Sequence, residues 1–105
     1  MIVNITSRVS KNYFPGLSAY AATKYALNCL TLTSRKELEP DGIAVCLFYP
    51  RTTATSFGLN AIGKSPLAND TRHTGQAAPG VDTADQVAEK IIQQIISGEA
   101  ESFME

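Results

Sequence analysis

The sequence predicts an α/β domain built on a parallel sheet. Three observations carry that expectation: two strand-like apolar runs, a long helical stretch between them, and an amphipathic helix near the end of the chain. Strand, helix and strand in succession favour a right-handed βαβ unit, the arrangement that almost all parallel connections adopt.

Ile2-Val3-Asn4-Ile5-Thr6 is rich in β-branched residues and gives way to polar Ser7-Arg8, which reads as a short strand over residues 1–7 followed by a loop. Pro15-Gly16 then breaks the chain. Ser18 is the candidate N-cap of a helix over residues 18–39, in which Ala19, Ala21, Ala22 and Ala26 favour helix and let neighbouring groups approach the backbone closely. Pro40-Asp41-Gly42 ends it with a turn signal. The continuous apolar run Ile43-Ala44-Val45-Cys46-Leu47-Phe48 lacks alternation, which suits a strand over residues 43–49 buried on both faces of a parallel sheet.

Residues 50–82 show no periodicity and are dense in Thr, Ser, Gly, Asn and Pro, so a long loop lining a substrate pocket is expected there. The final helix is expected over residues 84–97. Ala84, Val87, Ala88, Ile91, Ile92, Ile95 and Ile96 fall along one face, Thr83 and Gln86 have capping-box spacing, and Gly98 marks the end. The tail from Glu99 to Glu105 is long enough to begin another strand.

At 105 residues the chain is one domain at most, able to bury roughly 60–70% of the surface its unfolded form exposes. A formal net charge of −1 provides no electrostatic footprint for nucleic acid or anionic lipid, and no apolar run is long enough to span a bilayer. A small-molecule partner is the expectation. Cys29 and Cys46 lack metal-ligand spacing and read as buried thiols of a reducing compartment, and no leader follows Met1, so the expected location is cytoplasmic. His73, the single histidine, reads as a surface residue without a role, and Asn4-Ile5-Thr6 and Asn69-Asp70-Thr71 as chance glycosylation triplets.

Tyr20 and Lys24 stand one helical turn apart, so both side chains project from one face near the helix start. A tyrosine ordinarily titrates near pH ~10, and an ammonium beside it favours the phenolate, which is the condition for acid/base work at neutral pH. By itself, this spacing fits an exposed polar pair on an ordinary helix equally well.

The context narrows the choice. Ile2 to Ser7, then Pro15-Gly16-Leu17-Ser18-Ala19-Tyr20-Ala21-Ala22-Thr23-Lys24-Tyr25-Ala26-Leu27, then Glu37 to Val45 resemble the short-chain dehydrogenase/reductase family in order and spacing, with Ser7 thirteen residues before Tyr20. The resemblance covers about the first 57 residues closely and the helix around Val87-Ala88 more loosely. It implies the C-terminal portion of a Rossmann-type doubly wound parallel sheet, and an oxidoreductase that interconverts an alcohol and a carbonyl with NAD or NADP. It also implies roles. Ser7 would hydrogen-bond the substrate oxygen, Tyr20 would exchange a proton with it, and Lys24 would hold the nicotinamide ribose and favour the tyrosine anion. Pro50, Thr53 and Thr55 would hold the nicotinamide end, although Arg51 stands where the family usually has glycine and Thr53 where it has an apolar residue. Arg51 is then a candidate for a cofactor phosphate or a substrate carboxylate, or else a solvated surface group.

The family's glycine-rich pyrophosphate loop, the residue selecting NAD or NADP, and the asparagine of its catalytic tetrad have no counterpart in these residues, which correspond to the fifth strand onward. A polypeptide of these 105 residues alone is therefore expected to be inactive. The resemblance also implies a homo-oligomer pairing through the long helix. Two other readings compete: a non-catalytic self-association module, and a hydrolase using Ser7 with Lys24. The hydrolase is disfavoured because Thr6-Ser7-Arg8 lacks the glycine flanks of a nucleophile elbow.

Overall fold

The computed structural model describes residues 1–58 and 80–104. Its elements run β1 (Ile2–Ile5), α1 (Ser18–Leu38), β2 (Val45–Tyr49), α2 (Ala84–Ser97) and β3 (Glu101–Phe103), with short 3-10 turns at Arg8–Lys11, Glu39–Asp41 and Ser56–Gly58. The strands form one parallel sheet in the order β1-β2-β3, with Ile2 opposite Val45 and Leu47 opposite Glu101. This is the α/β architecture that the two apolar runs imply.

β2 is the centre of the core because it is paired on both edges and covered on both faces. Cys46, Leu47, Phe48 and Tyr49 are all fully buried, as an unbroken apolar run in a parallel sheet requires. Ile43 lies outside the strand and is exposed. Its amide reaches back to the Leu38 carbonyl, and Gly42 supplies the positive φ of 70° that the turn needs. β1 pairs only with β2 among the described residues, which leaves Ile2 and Ile5 exposed.

Ladder bonding continues beyond β1. Thr6 N–H donates to Phe48 O (2.9 Å) and Arg8 N–H donates to Pro50 O (3.2 Å), so Ser7 is carried alongside the exit of β2. This sets the site: Ser7 and Pro50 leave the sheet side by side at the C-terminal ends of their strands, where open α/β sheets bind ligands.

Three expectations need correction. Ser18 is the first helical residue of α1, not its cap; Leu17 holds the cap position without a side-chain bond, and its carbonyl accepts from Ala21 N–H at 2.8 Å. Cys29 is exposed, since it lies on the outer side of α1, whereas Cys46 is buried in β2. The apolar face of α2 is only partly used. Gln94 is buried at 1% exposure and Val87 and Ile91 are half-buried, whereas Ile92, Ile95 and Ile96 are 55%, 47% and 81% exposed. The seven apolar residues span about half the helix circumference, wider than the strip that one sheet face covers. The helix is turned so that Gln94 meets the sheet, where its Nε2 donates to Leu47 O (2.8 Å) and Glu99 O (3.1 Å).

Both ends of α2 carry the caps that the sequence signals. Thr83 Oγ1 accepts from Gln86 N–H (3.2 Å), Gln86 Oε1 accepts from Thr83 N–H (2.9 Å), and Gly98 takes the left-handed conformation with φ 73°.

Candidate active site

The site is assembled where α1 crosses the end of β1. Lys24 Nζ donates to the Ile5 carbonyl at 3.3 Å, which places the ammonium two residues before Ser7. The same ammonium lies 5.8 Å from the centre of the Tyr20 ring, so the one-turn spacing read from the sequence becomes an actual cation–ring approach. One of the three ammonium donors is used by Ile5, and the ammonium is exposed.

Ser7 caps the 3-10 turn that follows it. Its Oγ accepts from Val9 N–H at 3.3 Å. A serine satisfying a loop amide and a serine serving a substrate are therefore compatible, because an oxygen that accepts from an amide keeps its own hydrogen to donate. Behind it lies a buried polar cluster. Thr6 Oγ1 donates to Asn28 Oδ1 (2.6 Å), Asn28 Nδ2 donates to Ser10 Oγ (2.8 Å), and Ser10 Oγ donates to Ser7 O (2.6 Å). Thr6 and Ser10 are 2% and 1% exposed. Sequence reasoning missed Asn28, although it stands four residues beyond Lys24 and eight beyond Tyr20, on the same helical stripe.

The segment after β2 closes on the site from the other side. The Phe57 ring sits 6.1 Å from that of Tyr20, tilted by 55°, and Thr55 Oγ1 accepts from Phe57 N–H at 3.3 Å. Thr55 is thus two residues from an aromatic contact with Tyr20. Thr53 turns the other way: its Oγ1 donates to Arg51 O (3.0 Å), and its backbone bridges to Asp82.

Arg51 is half-buried and its guanidinium is paired within the fold. Its Nε and Nη2 each donate to the Asp82 carboxylate at 2.7 Å, a bidentate pair flanked by Ala54 N–H to Asp82 O and Asp82 N–H to Thr52 O, both 2.9 Å. The hydrogen bonds to Asp82 hold its proton more tightly than usual, against the opposing effect of partial burial. No described non-glycine residue has positive φ, so replacing the family's usual glycine introduces no left-handed strain. The partner lies 31 residues away, beyond any local signal. His73 and Asn69-Asp70-Thr71 lie outside the described residues, as does most of the expected pocket loop.

Tyr49 is excluded as a proton donor by its surroundings. Its hydroxyl donates to Glu101 Oε1 at 2.6 Å, its ring stacks on Phe103 at 4.3 Å, and Lys11 covers it at 5.0 Å. Burial first, then the bond to Glu101, pushes its phenol well above the ordinary range. An open apolar groove of about 410 Å³ runs along Tyr13, Phe14, Pro15, Ala21, Ala22 and Tyr25, but Ser7, Tyr20 and Lys24 do not line it.

A family model described as short chain dehydrogenase matches residues 1–63, more than half of the chain. The chain belongs to the short-chain dehydrogenase family. Carbonyl reductase [NADPH] 2 of Sus scrofa is 39% identical over 67 residues, which cover 64% of this chain and 28% of that protein. A dehydrogenase/reductase SDR family protein 7-like of Anopheles gambiae is 36% identical over 86% of this chain and 29% of its own length. This short-chain dehydrogenase chain thus spans under a third of both relatives. A solved short-chain dehydrogenase from Sphingobium yanoikuyae, in complex with NADPH, superposes with a TM-score of 0.79 at 28% identity, over 97% of this chain and 36% of that one. The Rossmann-type assignment of the sheet rests on that likeness. Among the described residues, no helix is long and apolar enough to cross a membrane, and no group of His, Cys, Asp and Glu side chains could hold a metal.

Proposed function

We propose that these residues form the catalytic half of an NAD(P)-dependent reductase that interconverts an alcohol and a carbonyl. The observation that carries this reading is the convergence at the end of β1: Lys24 Nζ on Ile5 O, Ser7 two residues on, and Tyr20 between Lys24 and Phe57. Similarity to the porcine carbonyl reductase and to the NADPH-bound bacterial dehydrogenase supports the same chemistry.

In this reading the Ser7 hydroxyl, held as acceptor by Val9 N–H, donates its hydrogen to the substrate oxygen and polarises the carbonyl. Tyr20 delivers the proton to that oxygen as the carbonyl is reduced, or takes it from the alcohol in the reverse direction. Lys24 keeps positive charge against the tyrosine ring and uses its remaining donors on the nicotinamide ribose. The donor set suits that end of a dinucleotide: an ammonium with one of its three donors on Ile5 O, and the Thr55 hydroxyl two residues from the Phe57 contact with Tyr20, on the segment that also carries Pro50 and Thr53. The cofactor, when bound, supplies or accepts the hydride. Because the sequence carries no glycine-rich loop, these 105 residues alone provide nothing for the pyrophosphate, and the polypeptide limited to them is inactive.

Self-association is part of the reading. Ile92, Ile95 and Ile96 on α2 and Ile2 and Ile5 on β1 leave apolar surface that a homo-oligomer would cover. The free thiols of Cys29 and Cys46 suit a reducing compartment such as the cytoplasm.

Substitution tests the assignment in the protein expressed with whatever coding sequence precedes these residues. Tyr20→Phe should reduce turnover of a carbonyl substrate at least ~1,000-fold and leave cofactor affinity within a few fold, whereas Lys24→Ala should weaken both. Turnover by Tyr20→Phe equal to that of the unsubstituted protein overturns the reading.

A further inference from the structure

We propose that Asn28 is a positioning residue that holds Ser7 by fixing the direction of a buried hydroxyl relay. This rests on the oxidoreductase reading above and adds to it a residue that does not touch the substrate.

The relay follows from counting hydrogens. Each hydroxyl has one hydrogen to donate. Ser10 Oγ lies 2.6 Å from Ser7 O, and a carbonyl can only accept, so the Ser10 hydrogen is committed there. Ser10 Oγ must then accept from its other neighbour. Asn28 Nδ2, at 2.8 Å, is the donor that meets this need. With its nitrogen turned to Ser10, Asn28 presents Oδ1 to Thr6, whose hydroxyl donates to it at 2.6 Å. Thr6 and Ser10 also approach each other at 3.3 Å, but with both hydrogens already used that contact carries none. A carboxamide is the side chain that accepts on one side and donates on the other at this size, so the order Thr6 to Asn28 to Ser10 to Ser7 O is set by Asn28.

Its position gives the relay a catalytic consequence. Asn28 is one turn beyond Lys24 and two beyond Tyr20 on α1, while Thr6, Ser7 and Ser10 belong to the chain leaving β1. The Thr6 hydroxyl also lies 3.4 Å from the Lys24 carbonyl, and Lys24 Nζ reaches Ile5 O. The residue that polarises the substrate and the two that move the proton are thus registered against each other through buried polar contacts, with Thr6 and Ser10 sealed from water. Ser7 O accepts from both the Ser10 hydroxyl and the Ser10 backbone N–H (3.0 Å), so reversing the hydroxyl would remove the shorter of its two bonds and loosen the turn that presents the Ser7 side chain.

Asn28→Asp makes that reversal with almost no change of shape. A carboxylate accepts from both sides, so Ser10 donates to residue 28 and Ser7 O keeps only the Ser10 backbone N–H (3.0 Å). The new charge also lies near Lys24, and the Ser10→Ala background separates the two effects. If the hydroxyl order matters, Ser10→Ala and Asn28→Asp each lower kcat about tenfold with cofactor KM within twofold, and the double variant is no worse than either single one. If charge alone is responsible, Asn28→Asp lowers kcat as much in the Ser10→Ala background as outside it, and the proposal is overturned.

Thermal unfolding of the same four proteins provides a readout independent of catalysis. Non-additive losses of roughly 5 °C for each single variant are expected. Additive losses overturn the relay itself, and non-additive losses with unchanged kcat overturn the positioning role while leaving the relay as structure. Absence of turnover in the unsubstituted protein would instead count against the oxidoreductase reading, and the positioning role would fall with it.

Discussion

Gln94→Glu should turn the seam between α2 and the sheet into a pH-sensitive one. The amide is 1% exposed, and its Nε2 donates to Leu47 O and Glu99 O, while Oε1 is the one buried side-chain polar atom without a partner among the described residues. Glutamate has the same shape but brings oxygen to both positions. When protonated it restores one of the two bonds, and the cost is the other, about 1 kcal/mol. When ionised it sets a buried carboxylate against two carbonyl oxygens. Burial and those oxygens both disfavour the anion, so the folded-state pKa lies above the ordinary ~4.3.

A group whose folded pKa is raised contributes stability that is intact below its unfolded pKa and lost as pH rises towards the folded value. Each pH unit in that window removes ~1.4 kcal/mol, up to ~4 kcal/mol by pH 7. The deficit against the unsubstituted chain should therefore grow from about 1 kcal/mol at pH 4 to as much as ~5 kcal/mol at pH 7, a large share of the stability of a small domain. Urea unfolding followed by circular dichroism at both pH values measures it, with Gln94→Met as the non-titrating control of similar volume. A Gln94→Glu deficit that stays constant between pH 4 and pH 7 would show that the side chain reaches water, and would refute the packing of α2 described above.

Three further outcomes are expected. Arg51→Ala and Asp82→Ala should each lower the unfolding midpoint, and the double variant should lose less than the two losses combined, because either single change strands the other half of a bidentate pair; additive losses would mean that the pair is not formed. Titrating the 105-residue polypeptide with NADH and with NADPH, followed by cofactor fluorescence, should show no saturable binding at low micromolar concentration, and saturation there would show that the nicotinamide end suffices. Sedimentation should find a dimer or larger assembly that Ile96→Glu weakens, and a stable monomer across the micromolar range would contradict the self-association reading.

The chain's own pattern determined the α/β class, the parallel pairing of its two apolar runs, the caps of α2 and the Tyr20–Lys24 pair. Each depends on spacing within a few residues or on an unbroken apolar run, so the interactions are written along the chain. Ser7 was legible only through family spacing, and its bond to Val9 N–H shows why a strand-end serine looks the same with or without a substrate. Tertiary structure decided the rest. Arg51 found Asp82 rather than a ligand because a charged fork takes whichever carboxylate the fold brings within reach, here one 31 residues on. Gln94 displaced isoleucines from the sheet side of α2 because a strand carbonyl, Leu47 O, and a loop carbonyl, Glu99 O, were there to accept its amide hydrogens. Cys29 was left exposed because composition records how often a residue type is buried, whereas which side of a helix meets the sheet is set by the packing of the whole. Asn28 became part of the site only when β1 and α1 met, since the direction of a hydrogen bond belongs to the group across the gap.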